Sequence, residues 1–163
     1  MGFHDVQGID VGEKAKAILK DPQSYKALAS VGRDGRLHVV FKGSLTVKDD
    51  GDIQLFELIE TSQANKNLTY SLWFGKEVAI NVIGQDRTSF QIKGVPVRAI
   101  VNGAEFQEAY IDLQNRRGKD NDLSTVWIIR PTEIQEETFA ARQAEERAKY
   151  PLVGHLDRYR TGA

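Results

Sequence analysis

The chain has 163 residues, 40% of them hydrophobic, and a formal net charge of −1. That is enough for one domain with a substantial core, and it lacks the basic excess that a nucleic-acid binder shows. With no cysteine, a disulfide framework and a thiolate metal site are excluded, and a reducing compartment is the natural setting.

In chain order, Asp10 and Glu13 have the spacing of a capping box for a short helix through Lys20, ended by Asp21-Pro22. Strand-like runs follow at 25–31 and 37–47 around Arg33-Asp34-Gly35-Arg36. Asp-Gly between two apolar runs predicts a hairpin. A second turn at 49–52 leads into a strand over 53–59. Ala64, Leu68 and Leu72 then recur every four residues, which predicts a helix whose N-cap is Ser62. Two more strands are read at 77–83 and 89–101, the second containing Gly94 and Pro96. Proline cannot donate to a sheet ladder, so a bulge or an edge is expected there. Asn102 and Glu105 suggest another capping box, for a helix with Phe106, Ala109, Tyr110 and Leu113 on one side, ended by Gly118. A strand over 125–129 and a charged helix from Thr138 to Lys149 complete the order. Most strands are joined by turns rather than by crossover helices, so the expected class is mainly β with α insertions, an antiparallel small barrel. The domain plan is a helical segment over 1–22, a barrel over 24–131, and a C-terminal helix and tail over 132–163.

The stretch from Thr61 to Leu68 carries the most chemistry. Thr61, Ser62 and Lys66 stand where a strand gives way to a helix, and a helix N-terminus offers unpaired N–H groups and the positive end of its dipole. The same residues serve equally well as ordinary helix starters. Elsewhere there is no glycine-rich phosphate loop and no nucleophile elbow. His4, His38 and His155 are far apart, so no metal site is expected. Trp73 and Trp127 read as core or interface aromatics.

The order and spacing of several pieces resemble the FMN-binding split-barrel family, which includes pyridoxamine 5′-phosphate oxidase. These pieces are the hairpin Val31-Gly32-Arg33-Asp34-Gly35-Arg36-Leu37-His38-Val39-Val40, then Lys66-Asn67-Leu68, then Phe90-Gln91-Ile92-Lys93-Gly94 followed by Gly103-Ala104-Glu105-Phe106. The resemblance spans residues 24–131 and implies an antiparallel split β-barrel. It implies that Lys42, Thr61 and Ser62 hold the flavin phosphate, with Lys66 and Asn67 in the same helix, that backbone near Val40 and Phe41 borders the ring, and that Gln91 places a polar group against it. It further implies a homodimer with FMN at the subunit interface and a small-molecule electron donor or acceptor. Two departures stand out. Gln63 and Ala64 occupy positions where many members carry Arg or Lys, and the Arg-x-His pair that grips vitamin B6 is missing around His155. The expected function is therefore a flavin-dependent oxidoreductase whose substrate is not vitamin B6. A non-catalytic flavin carrier is the alternative, as is a haem-binding barrel in which His38 or His155 faces a pocket. With no apolar leader and no run of the roughly 18 residues that a membrane span needs, a cytoplasmic protein is expected. The residues of 150–163 are expected to dock on the partner subunit and narrow the flavin site.

Overall fold

The computed structural model describes residues 5–151. His4, His155 and the expected tail beyond Pro151 lie outside the described residues.

Seven antiparallel strands form one curled sheet in the order β2-β1-β5-β6-β7-β4-β3. They are β1 (Tyr25–Val31), β2 (Leu37–Phe41), β3 (Thr46–Val47), β4 (Ile53–Glu57), β5 (Val78–Ile83), β6 (Ser89–Ile100) and β7 (Thr125–Glu136). Four helices join them: α1 (Gly12–Lys20), α2 (Gln63–Phe74), α3 (Gly103–Arg117) and α4 (Phe139–Lys149). The sheet has two apolar faces. On one, Leu28, Ile80, Ile92 and Trp127 pack with Leu19 of α1 and Leu68 of α2. On the other, Val97, Val126 and Ile128 pack with Leu113 and Phe106 of α3. Burial on both sides explains why 125–129 reads as an unbroken apolar run.

The first hairpin closes as its Asp-Gly signal requires, with Gly32 N–H donating to Arg36 O at 2.8 Å and Gly35 at φ +79°. The irregularity at Gly94 and Pro96 is a bulge: the β6–β7 register shifts between Lys93 and Gly94 and again between Pro96 and Arg98. β6 is paired with β5 over Ser89 to Gly94 and with β7 from Phe90 to Ile100, so Gly94 lies between two strands while Pro96 has β7 alone beside it among the described residues. The reason for glycine is direct, since a Cβ at position 94 would sit 2.6 Å from Arg130 O.

Four local expectations are corrected. The 37–47 run is two strands, because the chain turns where Leu45 N–H donates to Lys42 O at 3.1 Å. The strand from Thr125 does not stop at Ile129 but continues through Arg130 to Glu136 as the partner of β6. Asp10 and Glu13 form no capping box: α1 starts after Val11, while Asp10 accepts from Gly12 N–H at 2.7 Å and pairs with Lys16 at 3.0 Å. Asn102 likewise makes no side-chain cap, and Glu105 turns instead to Arg98 at 2.6 Å and Lys48 at 3.4 Å. At Glu105 a cation within reach outcompetes a backbone amide for the carboxylate, whereas Asp10 holds both Gly12 N–H and Lys16.

Candidate functional site

β2 is an edge strand, hydrogen-bonded only to β1 among the described residues, so one row of its backbone N–H and C=O groups has no strand partner. Its side chains alternate. His38 and Val40 turn toward the helix side and are half-buried, whereas Leu37, Val39 and Phe41 are 87%, 69% and 73% exposed on the other face.

Each end of this edge is tied to the segment that leads into α2. At one end Lys42 Nζ donates to Glu57 Oε2 at 2.6 Å, and Glu57 Oε1 also accepts from Ile59 N–H at 3.2 Å. The Glu57 side chain is 2% exposed and that of Lys42 15%. At the other end Asn67, which is buried, donates to Ser30 Oγ at 3.0 Å and accepts from Gln63 Nε2 at 2.8 Å. Ser30 stands opposite His38 in the β1–β2 register. Residues 58–62 therefore connect the Lys42 anchor on β2 to the helix that is held to Ser30 of β1. His38, Gln63 and Asn67 line a cavity of about 220 Å³ there with Asp34, Arg36 and Leu37.

The start of α2 is built as the sequence suggests. Ser62 is its N-cap, its Oγ accepting from Asn65 N–H at 3.0 Å, and the first turn carries no acidic residue. Asn65 is fixed in turn, accepting from Trp127 Nε1 at 2.8 Å and donating to Glu60 O at 2.9 Å. Thr61 and Lys66 are exposed, and Lys66 has no ion pair among the described residues.

Val40, Lys42, Thr61, Ser62, Lys66 and Asn67 thus gather around the β2 edge and the beginning of α2. The Phe41 backbone belongs to this same edge, but the side chains of Phe41 and Gln91 do not join them. Their side chains lie on the opposite face, in a cross-strand row that runs Phe41, Ala27, Asn81, Gln91, Gln135. Phe41 and Gln91 are three strands apart, about 14 Å at ordinary strand spacing. Lys42 is not a free cation, because Glu57 neutralises it. The sequence reading names Lys42 without its partner, since fifteen residues of intervening chain hide the pairing. It also passes over the exposed row Leu37, Val39 and Phe41, whose strict alternation was the available signal.

No protein-family model and no curated protein matches the sequence. Solved structures do resemble the fold. An FMN-binding protein from Syntrophomonas wolfei superposes with a TM-score of 0.63 at 14% identity, over 77% of this chain and 85% of that one. A Lactobacillus delbrueckii protein named for pyridoxamine 5′-phosphate oxidase gives 0.58 at 19% identity, over 80% and 96%. HutZ, the haem storage protein of Vibrio cholerae, gives 0.54 at 14% identity, over 78% and 95%. Antiparallel topology, the bulged β6, the strand–helix junction at Ser62 and these superpositions agree: the chain has the split-barrel fold of the pyridoxamine 5′-phosphate oxidase-like proteins.

Proposed function

We propose that this chain binds a flavin, FMN, along the free edge of β2 as a homodimer, and that it works as a flavin-dependent redox protein. The observation that carries this reading is the bracketed edge strand. Unpaired β2 backbone groups can meet the heteroatoms of a planar ring, Val40 offers an apolar contact, and the start of α2 lies alongside with its N–H groups, Thr61 and Lys66. A flavin bound there would supply two-electron chemistry from its ring. The donor set fits a ring with a modestly held phosphate. With Lys42 neutralised by Glu57, phosphate recognition rests on Lys66, Thr61 and the helix terminus rather than on a cluster of cations. A partner subunit is part of the proposal, because Leu37, Val39, Phe41 and Tyr25 leave a contiguous apolar face on β2 and β1 that water covers poorly. The fold shared with the S. wolfei FMN-binding protein supports the reading.

Equilibrium dialysis of FMN and riboflavin against the protein tests it. FMN should bind more tightly, by about tenfold or more for one charged hydrogen bond. Lys66→Gln should erase most of that difference while sparing riboflavin. Absence of flavin binding overturns the proposal.

A second reading is haem binding. His38 faces the cavity beside Gln63 and Asn67, and HutZ shares the fold. Addition of haemin would then give a Soret band that His38→Ala removes.

A further inference from the structure

Between the ends of α1 and α3, beside β3 and β4, lies a cavity of about 310 Å³, to which α2 contributes nothing. Its wall gathers Lys20 and Lys26 with Arg116 and Arg117 from the end of α3, against a single carboxylate, Asp112. Asp112 is already committed to Arg116 at 2.7 Å. Lys20, Lys26 and Arg117 have no carboxylate within 4.0 Å among the described residues.

Lys26 is the unusual member. It is 4% exposed, on the inward side of a strand whose other inward residues include the core Leu28. Its Nζ donates to Leu19 O at 2.7 Å and to Leu45 O at 2.9 Å. An ammonium has three N–H donors, so one remains uncommitted at the cavity wall. Two carbonyl dipoles orient the ammonium without cancelling its charge, and a buried uncompensated charge is costly. Burial accordingly pushes its pKa down, and only the more distant Asp21 opposes this. Thr46 and Gln54 also line the wall, and no other described residue engages their side-chain donors. Three like charges around one recess repel each other, and a dianion placed among them relieves all three.

We propose that this cavity binds the phosphoryl group of a small metabolite, held by Lys20, Lys26 and Arg117 with Thr46 and Gln54 as neutral donors. The cavity is larger than inorganic phosphate requires, which leaves room for the body of the metabolite. Binding would also clamp the end of α3 to the end of α1. The site is separate from the flavin seat, since Val40, Lys42, Thr61, Ser62 and Lys66 are not among the residues that line it.

The test titrates inorganic phosphate into the full chain at constant ionic strength, with chloride and acetate as controls. The amide resonances of Gly43, Ser44 and Thr46 are followed by NMR. Saturable shifts with phosphate and none with chloride are expected. Arg117→Gln and Lys20→Gln alter exposed side chains and should each weaken binding about tenfold, the loss of one charged hydrogen bond. Lys26→Met should abolish it, and if that variant does not fold the other two decide. Shifts that do not saturate, equal affinity for acetate, or unchanged affinity in both Arg117→Gln and Lys20→Gln overturns the proposal. No flavin takes part, so failure here leaves the flavin reading standing, and failure of flavin binding leaves this one standing.

Discussion

Removing Lys42 gives the sharpest test of the structure around β2. Among the described residues its ammonium is the one cation on Glu57, 2.6 Å away, and Glu57 is 2% exposed. Lys42→Met keeps the stem's packing but strands the carboxylate with a single remaining donor, Ile59 N–H at 3.2 Å. Breaking a buried pair from one side costs about 3–5 kcal/mol, because the surviving charge is left without compensation. For a chain of this size each kcal/mol lowers Tm by about 2–4 °C, so the expected drop is about 6–20 °C. Adding Glu57→Gln to Lys42→Met removes the stranded charge while keeping an acceptor for Ile59, and should restore all but about 1 kcal/mol, the value of one neutral hydrogen bond. Urea unfolding followed by Trp127 fluorescence measures both variants. If Lys42→Met costs less than about 1 kcal/mol, or the double variant is no more stable than the single one, the pair is solvated and the neutral phosphate seat inferred from it fails.

Gly94→Ala should destabilise by about 1–3 kcal/mol or more, because the new methyl meets Arg130 O at 2.6 Å and Ile129 Cγ2 at 3.0 Å in a paired strand; a thermal melt unchanged from wild type would contradict the bulge geometry. Val39→Asp with Phe41→Asp places two charges on the exposed face of β2; light scattering should find a wild-type dimer and a folded monomeric variant, and a monomeric wild type at micromolar concentration refutes the proposed interface. Lys26 sits below its ordinary value of 10.5 through burial, so the unfolded chain binds more protons between the folded pKa and 10.5. Wild-type stability should therefore rise relative to Lys26→Met as pH climbs through that window, with the cost of the buried ammonium felt in full below it; parallel urea midpoints for the two proteins across alkaline pH would show that Lys26 is solvated.

What was legible in the sequence is what neighbours along the chain decide among themselves. Asp34-Gly35 closes a hairpin because glycine adopts positive φ there, Ser62 starts α2 because its hydroxyl reaches an amide three residues on, and Gly118 ends α3. Each depends on residues within one turn, so the signal survives without the rest of the molecule. The failures have the opposite character. Glu105 chose a cation over the predicted cap, Lys42 found Glu57 fifteen residues away, and Lys48 found Glu105 at a separation of 57. That Gly94 marks a bulge inside the sheet, and that β2 is one of its edges, follows from the order β2-β1-β5-β6-β7-β4-β3, which local pattern does not encode. Charges and strand edges are satisfied by whichever partner packing brings within reach, and only the folded sheet decides which partner that is.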